Sequence, residues 1–404
     1  MPFPGLDSGP EFEFRATAFD SAPNIIPYAT EAMKLTIERT ALLTSLGHVQ
    51  SVVERRNTIP ILSNVQLEAS KDGLSLTATD LDLAIVEKVG ARVGQGGATT
   101  ASAHTLYDIV RKLPEGSEVE FSFGARDGRL FLRAGRSEFS LSCLPKEDFP
   151  VMTTGEMPHR FAISAGELRR LIDKTRFAIS TEETRYYLNG IYMHATQSSG
   201  VPVLRAVATD GHRLARVETP MPEGAAGMPG VIVPRKTVGE LRKLIDATEG
   251  SVQIALSDTK IRFAFDDAVL TSKLIDGTFP DYERVIPSAN DKVMEVDGKS
   301  FAAAVDRVST ITTEKGRAVK LALDRDRLVL SATSPEAGSA TEEIVVAYSH
   351  GPLEIGFNSR YLMDITAQIE GDNARFVLHD AASPTLVRDG SDESALYVLM
   401  PMRV

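Results

Sequence analysis

With Cys143 as its only cysteine in 404 residues, the chain has no disulfide framework and no cysteine-based metal site. A lone thiol suits a reducing cytoplasm, the expected location. No run of about 18 apolar residues is present, so no segment is expected to span a membrane. A phosphate-binding loop of the form G-x-x-x-x-G-K-[ST] is missing. Gly94-Gln95-Gly96-Gly97 lacks dinucleotide-binding spacing and reads as a loop before a strand. None of the seven histidines falls in an H-E-x-x-H pair, and no G-x-S-x-G elbow frames a nucleophile. Asp80 with Asp82, or Asp266 with Asp267, offers too few ligands for a hard cation. Nothing here points to catalysis, and neither a metal nor a cofactor is expected. Positive charge is also short: the net formal charge is −11. Residues 1–32 contribute −4 of it, leaving −7 for the rest. An acidic chain is repelled by duplex DNA at long range, so a nucleic-acid function requires local segregation of charge.

Repetition is what the sequence does have. Leu74-Ser75-Leu76-Thr77-Ala78-Thr79-Asp80 recurs loosely as Leu204-Arg205-Ala206-Val207-Ala208-Thr209-Asp210, and again as Leu328-Val329-Leu330-Ser331-Ala332-Thr333-Ser334. A second marker, Phe149-Pro150, Phe279-Pro280 and Met400-Pro401, ends a strand-like run in each copy. Three similar domains are implied, at 33–152, 159–282 and 290–404, joined by proline-bearing linkers. Residues 1–32, rich in Pro, Phe and Ala, read as a disordered extension or a cloning artefact.

Each copy divides into two units of one strand, one helix and three strands. In the first unit Lys34–Glu38 is the strand, and Leu42, Leu46, Val49 and Val53 fall at helical spacing. Val65, Leu67 and Ala69 alternate, Asp72-Gly73 turns, and Leu74, Leu76 and Ala78 alternate again. The second unit repeats this with Leu106, Ile109, Val110 and Leu113, then Val119, Phe121 and Phe123, a turn at Asp127-Gly128, and Leu130, Leu132 and Ala134. Later helices carry Leu168, Leu171 and Ile172; Val238, Leu241, Leu244 and Ile245; Phe301, Val305 and Val308; and Leu362, Ile365 and Ile369. Ser164-x-x-Glu167 has the form of a capping box, and Asn358 suits an N-cap. Six such units make an α+β chain, largely antiparallel because its hairpin turns are short.

The helices also carry bases away from their apolar positions: Arg111 and Lys112; Arg169, Arg170, Lys174 and Arg176; Arg235, Lys236, Arg242 and Lys243. One such face is ordinarily just solvated. Equivalent helices in equivalent domains would instead line one common basic surface.

Several motifs together resemble the β sliding clamp family, the processivity subunit of bacterial DNA polymerase III. They are Arg185-Tyr186-Tyr187-Leu188-Asn189-Gly190, Ala208-Thr209-Asp210-Gly211-His212-Arg213-Leu214, Val233-Pro234-Arg235-Lys236, Thr271-Ser272-Lys273-Leu274 with Phe279-Pro280-Asp281-Tyr282, and Tyr397-Val398-Leu399-Met400-Pro401-Met402-Arg403. The resemblance runs from Met33 to Val404. It implies a DNA-clamp fold in which two head-to-tail protomers close a ring, with antiparallel sheets outside and helices lining a central hole. It also implies a non-enzymatic role, with duplex DNA, the polymerase III catalytic subunit, a clamp loader and other clamp-motif proteins of replication and repair as partners.

Residue by residue, the resemblance implies a partner-peptide pocket at Arg185, Leu188, Thr209, Gly211, His212, Arg213, Leu214, Pro280, Arg284, Val285, Asn358, Tyr361, Val398, Met400, Pro401, Met402 and Arg403. Leu, Pro, Val and flexible Met suit an adaptable trough, and the polar groups suit a peptide backbone or a Gln side chain. Implied DNA contacts are Arg56, Tyr186, Tyr187, Arg235 and Lys236. The implied dimer contacts are Phe139 with Thr310 and Ile311. Asp306, Asp364 and Glu370 stand beside Arg307 and Arg360 in the third domain, so that part of the hole is expected to be less basic.

Overall fold

The six expected units are present in the computed structural model, which describes residues 32–124, 128–153, 155–312 and 317–404. The expected extension before residue 32, and Asp127 of the expected turn, lie outside the described residues. The first unit is β1 (Ala32–Glu38), α1 (Arg39–Gln50), β2 (Asn64–Ser70), β3 (Gly73–Thr79) and β4 (Leu83–Val89). After a short β5 (Arg92–Gln95), the second is β6 (Gly97–Ser102), α2 (Ala103–Lys112), β7 (Glu118–Gly124), β8 (Arg129–Ala134) and β9 (Ser137–Ser142). The third is β10 (His159–Ser164), α3 (Ala165–Asp173), β11 (Gly190–Ser198), β12 (Val201–Thr209) and β13 (Arg213–Pro220). The fourth is β14 (Val231–Pro234), α4 (Arg235–Leu244), β15 (Ser251–Leu256), β16 (Lys260–Phe265) and β17 (Ala268–Lys273). The fifth is β18 (Lys292–Asp297), α5 (Gly298–Ser309), β19 (Ala318–Asp324), β20 (Arg327–Ser334) and β21 (Gly338–Val345). A two-residue β22 (Ala347–Tyr348) precedes the sixth: β23 (Leu353–Asn358), α6 (Ser359–Thr366), β24 (Asn373–Leu378), β25 (Thr385–Asp389) and β26 (Ala395–Leu399).

Strand pairing follows one rule throughout. The first strand of each unit pairs with the second strand of its sibling unit: β1 with β7, β6 with β2, β10 with β15, β14 with β11, β18 with β24 and β23 with β19. The last strands of units one and four pair across the first domain junction, with Thr271 opposite Ala84. Those of units three and six pair across the second, with Leu214 opposite Val398. Sheets of eight and nine strands therefore run through both junctions, and all the pairings are antiparallel. The last strands of units two and five, β9 and β21, end the five- and four-stranded sheets with an open edge.

The helices pack where their apolar spacing directs them. Leu42, Leu46 and Val49 of α1, Leu106 and Val110 of α2, and Phe301, Val305 and Val308 of α5 are all buried in one continuous core. A fully buried leucine contributes about 2 kcal/mol over an exposed one. Val53 and Ile369 lie beyond the ends of their helices rather than within them, though Val53 is buried. Ser164 caps α3 through a 3.2 Å bond from the Glu167 amide. The Glu167 carboxylate closes the motif on the Ser164 hydroxyl (2.7 Å) and also accepts from Thr219 (2.9 Å). Asn358 caps α6, accepting from the Arg360 amide at 2.9 Å.

Candidate functional site

The repeated Ala-Thr-Asp string builds the same turn twice. After β3, the Thr79 hydroxyl donates to the Leu83 carbonyl (2.9 Å) and accepts from the Leu81 amide (3.0 Å), while Asp80 accepts from the amides of Asp82 (2.9 Å) and Leu83 (2.7 Å). After β12, Thr209 bonds the Arg213 carbonyl (2.7 Å) and the Gly211 amide (3.1 Å), and Asp210 accepts from His212 (2.9 Å) and Arg213 (3.1 Å). The residue after the Asp has positive φ in both turns, Leu81 at 79° and Gly211 at 88°. Glycine matters at the second turn because an added Cβ would stand 2.6 Å from Nη1 of Arg185. The Arg185 guanidinium lies over the turn and is held there by a two-pronged pair with Glu182, 2.7 Å each.

That turn forms one wall of an apolar cleft of about 290 Å³ between the second and third domains. Leu188 and Leu214 come from the second domain, Val398 and Met400 from the third, and Pro280, Tyr282 and Val285 from the connector. The connector is anchored by Phe279, whose ring stacks on Tyr192 at 4.8 Å and 6°. Behind it the Tyr282 hydroxyl meets Arg205 (2.7 Å) and His194 (3.0 Å). Burial, helped by the Arg205 charge, pushes the His194 pKa down, which favours a neutral ring beneath the cleft.

Of the expected pocket residues, Arg185, Leu188, Thr209, Gly211, Arg213, Leu214, Pro280, Val285, Val398 and Met400 line this cleft. The others lie around it. His212 stacks on Tyr361 (6.3 Å, 23°) and accepts the Met400 amide on its carbonyl at 2.9 Å. Pro401, Met402 and Arg403 continue as a tail beside β23, pinned by the Met402 amide on the Gly356 carbonyl at 2.7 Å. Asn358 is occupied as a helix cap, and Arg284 is exposed and pairs with Asp281 at 2.7 Å. Arg213 has little left to offer a ligand. Its side chain is 7% exposed and bonds Asp210 (3.0 Å), Asp364 (2.5 Å) and the Phe177 carbonyl (2.6 Å). Its guanidinium also sits 4.3 Å from the Tyr361 ring centre. It ties the second domain to α6 and positions the cleft wall.

Tyr187, Asp281 and Tyr282 also line the cleft. The motifs containing them were visible in the sequence, but their orientation was not. Tyr187 was expected at DNA; the structure turns it into the cleft, while Tyr186 is 53% exposed.

Among the other expected DNA contacts, Arg56 is exposed in the loop after α1 and Arg235 is exposed at the start of α4. Lys236 is committed elsewhere. It bridges the first domain junction to Glu54 (2.5 Å), Asp80 (2.7 Å) and the Val52 carbonyl (3.1 Å). Burial opposes its charge, but the bonds to Asp80 and Glu54 outweigh this and raise its pKa. Lys174, expected on an outward basic face, is instead buried against Glu370 (2.8 Å). Arg242 is shared between Asp173 (2.8 Å) and Asp246 (2.7 Å). Even so, the six α-helices carry twelve Lys or Arg against six Asp or Glu, in a chain whose net charge is −11.

Phe139 is half-buried on the open-edged strand β9. Thr310 is exposed at the end of α5, and Ile311 packs half-buried against the core. No group of three or more metal-binding side chains occurs among the described residues, and no helix there is long and apolar enough to cross a membrane.

Three family models match in succession: the DNA polymerase III beta subunit N-terminal domain at residues 33–153, the central domain at 162–281 and the C-terminal domain at 283–403. The chain is 58% identical over 372 residues to the beta sliding clamp of Caulobacter vibrioides, covering 92% of this chain and all of that one. It is 41% identical over 373 residues to that of Pseudomonas aeruginosa, again over 92% of this chain and all of the relative. Among solved structures it is similar to the Caulobacter crescentus beta sliding clamp (58% identity, TM-score 0.90), over 93% of this chain and 100% of that one. It is also similar to a Bartonella birtlesii sliding clamp bound to griselimycin (52% identity, TM-score 0.90), over 92% of this chain and 100% of that one.

Proposed function

This chain belongs to the DNA polymerase III beta subunit family, with the DNA-clamp fold of three repeated domains, and we propose that two copies close head to tail into a ring that encircles duplex DNA and tethers the replicative polymerase. Its relatives are sliding clamps, processivity factors and not catalysts, in line with the absence of catalytic motifs in the sequence.

The observation that carries the reading is the segregation of charge: a helical set with net positive charge inside an acidic chain. In a ring, phosphates close to the helices feel their bases, while charges on the outer wall are screened over a Debye length of about 8 Å. Phosphate contacts carry no sequence information, as a sliding ring requires.

Ring closure has support in the pairing rule. Both junctions between the three domains join last strand to last strand, and β9 and β21 are the two last strands whose outer edge is left open. A β9 edge of one copy against the β21 edge of the next would repeat the same join and cover two edges that otherwise invite aggregation. Phe139 and the Thr310–Ile311 segment then belong to that contact.

The apolar cleft is the tether. It would hold a short peptide with a Gln and two or three large apolar residues, carried by the polymerase III catalytic subunit, the clamp loader and other clamp-motif proteins in the cytoplasm. Lys236 and Tyr187 serve the junction and the cleft, so DNA contact falls to Arg56, Tyr186 and Arg235. The experiment is gel filtration of protein placed by a loader on nicked circular DNA, before and after the circle is cut. Retention on the circle with loss on cutting is expected. Equal retention with free, unblocked ends would rule out encirclement.

A further inference from the structure

Beside the apolar cleft, and sharing the Arg213 wall with it, lies a second cavity of about 390 Å³ with a different character. Four arginines line it: Arg176, Arg213, Arg235 and Arg360. Its two carboxylates, Glu182 and Asp210, are already taken. Glu182 forms its two-pronged pair with Arg185, and Asp210 is bonded by Arg213 and two amides. Carboxylates just outside are also shared. Asp173 holds Arg242 at 2.8 Å as well as Arg176 at 3.1 Å. Asp364 holds Arg213 at 2.5 Å and leaves Arg360 at 3.9 Å. Arg235 has no ion pair among the described residues. Three guanidinium groups thus face one cavity with less negative charge than they can use, in a protein that is acidic overall. Like charges held together without counter-charge cost free energy that an anionic ligand recovers.

Resting on the cleft reading above, we propose that this cavity receives acidic side chains flanking the core of the partner peptide, and so sets which partners bind most tightly. At Arg176 and Arg360 continuity favours a peptide over a DNA phosphate, which leaves Arg235, at the start of α4, for the DNA contact given above. His212 and Tyr361, which border the expected path of the peptide, are part of the cavity, and Arg213 walls both spaces. A chain leaving the cleft past His212 enters the cavity directly. The guanidinium forks of Arg176 and Arg360 donate to a Glu carboxylate that enters the cavity. Elsewhere the acidic surface repels such a segment, so the preference is local to this end of the cleft.

The test is calorimetry on the full chain with three kinds of synthetic peptide: the core alone, the core with two Glu added at one end or the other, and the same extensions with Gln. At low salt the Glu extension at one end should bind about fivefold to tenfold more tightly than its Gln counterpart, the scale of exposed charge-assisted contacts. Arg360→Glu should abolish that difference and leave core affinity unchanged, and Arg176→Ala should reduce it. Equal binding of Glu and Gln extensions at both ends, with the core still binding, overturns this proposal alone. Failure of the core peptide on the unmodified chain removes the cleft reading and this proposal with it, and Met400→Ala, which should weaken core binding, identifies binding at the cleft. If Arg360→Glu instead lowers retention on nicked circles while the Glu preference persists, the cavity serves DNA and the proposal is wrong.

Discussion

Asp389 shows how much one side chain can hold in the third domain. One carboxylate oxygen accepts from the amides of Glu370 (2.7 Å) and Gly371 (2.9 Å), and the other from the Ser391 amide (2.8 Å) and hydroxyl (2.7 Å). Burial alone would raise its pKa, but these bonds outweigh burial and hold it at about 2. Because the folded value lies below the unfolded one of about 3.9, its contribution is complete above pH 4 and is lost as pH falls towards 2. The shift corresponds to about 2.5 kcal/mol. Asp389→Asn should therefore cost about that much at pH 7 in urea unfolding, and the gap to the unmodified protein should narrow to about a third as pH is lowered to 2.5. A gap that stays constant across that range would show that the carboxylate's charge is not what stabilises the turn. Glu370 also pairs with Lys174 of the second domain, so this turn bears on the junction beside the cleft.

At the scale of elements, the start of α4 does two jobs that adjoining residues divide between them. Arg235 projects into the polar cavity, whereas Lys236 reaches back to Glu54 and Asp80 and ties the second domain to the loop after α1. Lys236→Ala should destabilise the protein by about 1–2 kcal/mol through the loss of a partly buried bridge and the two carboxylates it leaves behind. Arg56→Ala, on the exposed loop next to that bridge, should leave the melting temperature unchanged and lower retention on loaded circles. Calorimetric melting of both variants, paired with the loading assay, separates the roles. A Lys236→Ala protein that melts normally but slides off intact circles would return Lys236 to the DNA surface.

For the whole molecule, the question is how the two open edges are closed. β9 places Phe139 and Leu141 half-buried on one face and Glu138, Ser140 and Ser142 exposed on the other, the alternation of a strand with one covered side. The last-strand rule at both internal junctions makes β21 its natural complement. At micromolar concentration the protein should be a homodimer by light scattering coupled to gel filtration. Phe139→Asp should shift it to monomer while its melting transition remains cooperative, because the side chain is outside the fully buried core. Persistence of the dimer in that variant would place the interface elsewhere.

The number of units, their order and most of their strands and helices were determined by sequence alone. Burial periodicity is a local property, and turn residues such as Asp72-Gly73 and the two Thr-Asp strings act over a few positions. The charge imbalance between helices and the rest is likewise a matter of composition and spacing. What meets across a junction was decided only by tertiary structure. The cleft unites Arg185 with Met400, and the register that sets Leu214 opposite Val398 leaves no mark within either strand. The same cause brings Tyr187 into the cleft while its neighbour Tyr186 stays exposed, and pairs Lys236 with Asp80 across the first junction. It also gathers Arg176, Arg235 and Arg360 around one cavity. Charges scattered along a chain acquire a function only when long-range strand pairing decides which carboxylates reach them and which do not.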